Sequence, residues 1–145
     1  MIHRIGEPRL KSKRYTRRPG AYALLPRDGN LLLTVQLCDE PDIQLPGGGI
    51  DTGEHAIVAL HREVYEETGW RISKPRRIGA FRRFVYMPEY DLWAEKICHI
   101  FIARPTRQIG PPVETDHKVI WANPETAVRI LGNAGDRYFA SLLSF

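Results

Sequence analysis

Residues 48–70 read GGIDTGEHAIVALHREVYEETGW, and the fold of the 145-residue chain turns on how this stretch is read. Ala56, Ala59, Leu60 and Val64 recur at spacings of three and four, which predicts an amphipathic helix from about His55 to Thr68. Gly69 follows the last periodic residue, where a helix end favours a residue free to take positive φ. Glu63, Glu66 and Glu67 then share one face of the helix. Like charges so placed repel by a few tenths of a kcal/mol per pair, and acids near a helix C-terminus also oppose its dipole. A dication reverses that sign, because hard oxygen ligands in a tight group suit Mg²⁺ or Mn²⁺.

The same stretch resembles the Nudix box, G-x5-E-x7-R-E-U-x-E-E-x-G-U with U a bulky apolar residue. Gly48, Glu54, Arg62, Glu63, Val64, Glu66, Glu67, Gly69 and Trp70 occupy its fixed positions without a gap. At ordinary residue frequencies such a match in a chain of this length has a probability on the order of 10⁻⁸. A solvated acidic helix face would account for the glutamates but not for Gly48, Glu54, Arg62 and Gly69 in register. By this resemblance the chain is similar to MutT-like Nudix hydrolases.

Around the box, Ala21–Leu25 and Leu31–Leu37 read as partner strands joined by Asp28-Gly29-Asn30, since Asp-Gly between apolar runs marks a hairpin. Asp42–Leu45 is a third short strand, leading into the loop Pro46–Gly49. After the box, Arg77–Tyr86 and Ala94–Ala103 read as strands. The second is apolar on both faces and should be central, with Arg104-Pro105 ending it. Residues 108–114 are expected as a loop, Val119–Trp121 as a strand, and Pro124–Leu131 and Asp136–Leu143 as helices. This order predicts an α/β protein, a mixed sheet with helices on both faces. The resemblance implies the α/β/α sandwich of the Nudix fold, from about residue 19 to the end. Trp121, Glu125 and Ala127 also match the family's W-x-x-x-E-x-A piece.

Hydrophobic content of 43% and charged content of 26% describe one ordinary globular domain. No apolar run approaches a membrane span, and Met1–Arg4 lacks a signal-peptide core. Cys38 and Cys98 have no metal-ligand spacing and are expected to stay reduced, in a cytoplasmic setting. The net charge of +4 is concentrated at the start: Arg4, Arg9, Lys11, Lys13, Arg14, Arg17 and Arg18 face one acid, Glu7, within residues 1–18. These residues are read as a basic arm, either a solubilising segment or one that draws in a phosphate-rich substrate. No aromatic-interleaved RNA platform appears, although an RNA 5′ end is a diphosphate-bearing alternative.

The resemblance implies a Mg²⁺-dependent pyrophosphohydrolase, with Mn²⁺ as an alternative ion, cleaving a nucleoside diphosphate linked to another moiety. The alternatives are a diadenosine or diphosphoinositol polyphosphate, a (d)NTP such as an oxidised one, or a non-catalytic nucleotide sensor. Residues 127–131 and 138–143 resemble the diphosphoinositol/diadenosine polyphosphate branch. The resemblance carries metal ligation to Glu63, Glu66 and Glu67, joined by the carbonyl of Gly47, with Gly48, Glu54 and Arg62 in support. The general base is Glu63 or a loop acid, for which Glu114 is the match, with Asp116 behind it and Glu89 and Glu95 as further options. Glu67 counts with them in the catalytic group. Arg82 and Arg83 are candidates for phosphate contact, and Tyr90 and Trp93, with Tyr86, for stacking a base. The histidines show no zinc-like spacing and receive no role. A homodimer is compatible with the chain.

Overall fold

Asp28 and Gly29 both take positive φ, 51° and 81°, the geometry of a tight two-residue hairpin turn. In the computed structural model, which describes residues 1–143, this turn joins strand β2 (Pro26–Arg27) to β3 (Asn30–Gln36). The expected partner strand therefore divides. Its first part is β1 (Tyr15–Leu24), which belongs to a different sheet, and the chain crosses between sheets at Leu25-Pro26. Leu31, Leu32 and Leu33 are fully buried, so β3 needs neighbours along its length. It finds them in β4 (Asp42–Gln44) and β8 (His117–Ala122), both antiparallel to it.

The first sheet is mixed, as expected, with strand order β5 (Gly47–Gly49), β1, β7 (Leu92–Gln108), β6 (Trp70–Met87). β1 runs parallel to β7, and β7 runs antiparallel to β6. The residues expected as a glycine loop form β5, paired with β1. β7 is central, as its two apolar faces predicted. It does not stop at Pro105, however, and continues to Gln108. Past Ile102 it no longer pairs with β1, and Pro105 stands opposite Ile72 at a register shift, so no ladder bond is asked of its missing N–H. β6 and β7 both outrun their predicted lengths and are joined by a 3₁₀ turn at Pro88–Tyr90. Backbone bonds from Ile5 to Arg82 (3.0 Å) and from Arg82 to His3 (2.8 Å) lay the start of the chain along β6. Arg17 and Arg18 lie within β1.

Helix α1 (Ala56–Thr68) is the box helix. His55 Nδ1 accepts the Ile57 N–H at its start, and Gly69 ends it at φ 75° with its N–H on the Tyr65 carbonyl. Leu60 and Val64 bury against Ala21, Ala23, Leu25, Leu32 and Phe101. On the other face, α2 (Pro124–Ile130) and α3 (Ala134–Ser141) bring Ala127, Phe139 and Ala140 against Leu24, Leu33, Phe81 and Ile100. α3 starts two residues before the expected Asp136. The Asn133 side chain accepts the Asp136 N–H at 2.8 Å and caps the helix there. Among the described residues no helix is long and apolar enough to cross a membrane.

A Cβ added at Gly69 would stand 2.0 Å from the Gly110 carbonyl oxygen, whereas at Gly29, with nearly the same φ, it would meet nothing within 4 Å. Gly29→Ala should therefore lose only the ~1 kcal/mol of a left-handed alanine. Gly69→Ala should lose clearly more, read as the difference between their urea unfolding midpoints. Equal losses would mean that the loop at Gly110 gives way freely.

Candidate active site

Arg62 gathers the acidic groups of the box. Its Nε and Nη2 donate to the two Glu54 oxygens at 2.9 and 2.8 Å, and its Nη1 donates to Glu63 Oε1 at 2.8 Å. Nη2 also reaches the Gly49 carbonyl at 3.1 Å, and Glu66 Oε2 lies 3.6 Å from Nη1. The Asp51 N–H donates to Glu54 Oε1. These bonds, led by the one from Arg62, pull the Glu54 carboxyl down to about 2, and the same pairing raises the Arg62 guanidinium. Glu54 thus lies behind the helix carboxylates, joined to Glu63 through Arg62.

The helix carboxylates differ in setting. Glu63 lies under β5, where a Cβ at Gly48 would come within 2.4 Å of its Oε2 and displace the carboxylate. Glu67 is 7% exposed and accepts the Gly47 N–H on Oε1 at 3.1 Å. Burial pushes Glu63 above the usual carboxylate range, against the pull of Arg62. Burial pushes Glu67 up further, against the Gly47 N–H and with help from the charges of Glu63 and Glu114.

The loop after β7 supplies a fourth acid. Val113 and Glu114 N–H groups both donate to the Glu66 carbonyl, at 2.9 and 3.0 Å, so the last turn of α1 holds this loop by its backbone. Glu114 offers oxygen within 4.8 Å of ligand atoms of Glu63 and Glu66, and a second group of the same size joins Glu67, Glu114 and His117. Glu114 belongs to both.

His117 is the residue the sequence reading passed over. It is 8% exposed, its Nδ1 lies 2.9 Å from the Thr34 hydroxyl, and its Nε2 lies 3.2 Å from Glu114 and 3.8 Å from Glu67. Thr34 is fully buried, and Nδ1 is its only side-chain partner among the described residues. That contact fixes the ring and leaves Nε2 facing Glu114 and Glu67. The available signal was local: histidine three residues after the loop acid, at the start of a strand.

The remaining candidates fall on two faces. Tyr90 lines a cavity of about 180 Å³ together with Glu63, its ring 4.5 Å from the Arg18 guanidinium carbon. Arg83 stands opposite Lys96, which lines the same cavity. Arg82 and Trp93 point to the opposite face, and the structure does not bring them to the carboxylates. Arg82 Nε lies 3.6 Å from Glu95, which also pairs with Arg17 at 3.1 Å. Trp93 packs edge-on against Tyr15 and tilted against Tyr86. Asp116 lies 3.9 Å from His117, and Glu89 sits in the 3₁₀ turn.

The donor set fits a hard dication: carboxylate oxygens from Glu63, Glu66 and Glu114 converge, and no thiolate is near. The raised Glu67 carboxyl binds its proton more tightly folded than unfolded, so without metal the protein loses stability as pH rises from the usual carboxylate pKa through the raised one. Glu67→Gln keeps an acceptor for the Gly47 N–H and removes that loss. The metal-free variant should melt above the wild type at about pH 7 and level with it at about pH 4. Mg²⁺ should narrow the neutral-pH gap by stabilising the wild type more than the variant. A variant that melts lower at neutral pH would show that the charged carboxyl stabilises the fold.

A family model described as NUDIX domain matches residues 15–143. Over 74 residues, 51% of the chain, the sequence is 35% identical to a Bacillus subtilis (strain 168) protein named "Putative 8-oxo-dGTP diphosphatase", and the match spans about half (50%) of that protein's length. Among solved structures, a NUDIX hydrolase from Nitrosomonas europaea aligns with TM-score 0.69 at 16% identity, covering 90% of this chain and 97% of its own. A MutT NUDIX hydrolase from Burkholderia pseudomallei aligns with TM-score 0.68 at 20% identity, covering 89% and 99%. At such identities the structural likeness speaks for the fold, and the family model speaks for descent. With the box complete and its acids gathered on one helix, the chain belongs to the Nudix hydrolase family.

Proposed function

We propose that this protein is a Mg²⁺-dependent pyrophosphohydrolase that cleaves the diphosphate linkage of a nucleoside diphosphate bearing a further group. The favoured member of that class is a nucleoside triphosphate. The observation that carries the reading is the convergence of Glu63, Glu66 and Glu114 beside the buried Glu67. The diphosphatase name of the Bacillus relative supports a triphosphate, including an oxidised one, over the other linked diphosphates.

Glu63, Glu66 and Glu114 would hold the ion, with Glu67 and the Gly47 carbonyl completing the set from the buried side. When bound, the ion neutralises phosphate charge and makes water a better nucleophile at neutral pH. Arg62 keeps Glu63 turned toward the cleft through its bond to Oε1. Glu114 is the favoured proton acceptor. Each candidate has one oxygen engaged, Glu63 with Arg62, Glu67 with Gly47 and Glu114 beside His117 Nε2, but Glu114 is the more open group, its side chain 39% exposed. Water's oxygen bonds to phosphorus, its proton passes to the carboxylate, and the bridging P–O bond breaks. A triphosphate then yields a nucleoside monophosphate and pyrophosphate.

The reading is tested by product analysis on 8-oxo-dGTP, dGTP, ADP-ribose, dinucleoside polyphosphates and 5′-triphosphorylated RNA, each with Mg²⁺ or Mn²⁺. Monophosphate and pyrophosphate from a nucleoside triphosphate are expected. Glu67→Gln should lower turnover at saturating Mg²⁺ by at least ~10²-fold with the fold intact. Wild-type rates in that variant would remove Glu67 from the machinery.

A further inference from the structure

Two neighbouring rows of charge cross the first sheet, and only one has an acid standing among its cations. In the first, Arg17 of β1 stands opposite Glu95 of β7, and Glu95 also pairs with Arg82 of β6. One residue along each strand the side chains face the other way, with Phe81 and Cys98. There Arg18 stands opposite Lys96, and Lys96 stands opposite Arg83. Three cations on three adjacent strands share one face. Like charges directly opposite destabilise a sheet. Among the described residues neither Arg18 nor Lys96 has a carboxylate within ion-pair distance. Arg83 reaches only Glu7, at 3.8 Å, and its Nε is buried without an acceptor.

The row opens on the catalytic cleft. Arg18 and Lys96 line the 180 Å³ cavity with Tyr22, Gly49, Glu63 and Tyr90. The Tyr90 ring lies 4.5 Å from the Arg18 guanidinium carbon, and the Tyr22 ring lies 5.5 Å from Lys96 Nζ. Each cation is thus steadied by an aromatic residue; Lys96 also bonds to the Tyr22 side chain, which leaves its remaining N–H groups for an anion. The cavity is smaller than the roughly 300–1,000 Å³ of drug-sized ligand pockets and is on the scale of phosphate groups. Two strand spacings make the row about 10 Å long, which suits a chain of phosphates better than a single anion.

We propose that Arg18, Lys96 and Arg83 form a polyphosphate-binding row that holds the substrate's phosphate chain against the carboxylates of α1. This rests on the activity proposed above and narrows its substrate: a triphosphate spans the row, and a shorter anion leaves part of it unpaired. The planar guanidinium groups at the two ends suit bidentate contacts, and the central ammonium acts as a point charge.

The test is calorimetric binding of inorganic tripolyphosphate to the full chain, with Ca²⁺ in place of Mg²⁺, for wild type, Arg18→Gln, Lys96→Gln and Arg83→Gln. Each substitution should weaken binding on the order of 10-fold, the loss expected of one charge-assisted contact. Lys96→Arg should recover part of it, and Arg129→Gln on α2 should change nothing. Mn²⁺ affinity without polyphosphate should stay at the wild-type level in all of them, which places the loss in anion contacts. Should Lys96→Gln melt early, Arg18→Gln at the rim decides. Row variants that bind tripolyphosphate like the wild type, or lose Mn²⁺ in parallel, overturn the proposal. A wild-type chain that binds tripolyphosphate through the row yet hydrolyses no nucleotide would defeat the proposed activity and leave the row standing.

Discussion

Crowded, partly dehydrated carboxylates at the C-terminal half of α1 are the constraint to which the surrounding structure answers. Taking ionised acids out of water is costly unless they are paired, and here the last helical turn offers no basic residue to help. Arg62 carries most of the compensation. Its planar fork spends three bonds on Glu54 and Glu63 and a fourth on the Gly49 carbonyl, so one side chain ties helix, β5 and loop together. Lysine, whose three donors sit on one nitrogen, has no such reach. What Arg62 leaves uncompensated is Glu67, buried with one backbone N–H bonded to it and the His117 ring 3.8 Å away.

The site is assembled from both sheets. β5 of the first sheet provides the Gly47 N–H and the space at Gly48, while Thr34 of β3 and His117 of β8 come from the second. The overrun of β7 past Pro105 has a geometric effect here. It carries the chain to the C-terminal end of α1, where Ile109 bonds to Gly69 and the following loop doubles back onto the Glu66 carbonyl. Glu114 therefore reaches the cleft on a loop whose backbone is fixed to the same helix as the other acids. Thr34, His117 and Glu114 then form a buried-to-open chain that sets the loop acid from the core outward.

Charge is sorted by place rather than summed over the surface. The net +4 of the chain says only that it favours anions. Strand alternation decides where they would go, since Arg17 and Arg82 share Glu95 on one face while Arg18, Lys96 and Arg83 are left together on the other. Part of what reads in sequence as a basic arm is thus strand β1, and its charges serve opposite faces of the sheet.

The box helix, its glycine end, the Asp-Gly turn, the central β7 and the helices of both faces were legible in the chain, because each rests on interactions within a few residues: periodicity, caps and turn geometry. The gathering of Glu63, Glu66 and Glu67 follows from helical spacing and needs no tertiary information. Other features were not legible. The crossing from β1 to β2, the strand through Pro105, the meeting of His117 with Thr34, and the placing of Trp93 away from the cleft all depend on which strands pair, and pairing is decided by burial over long sequence separations. The row of Arg18, Lys96 and Arg83 illustrates the difference most plainly. These residues are scattered through the sequence and become neighbours only because β1 lies parallel to β7 in one particular register, which a slip of one residue would turn to the other face.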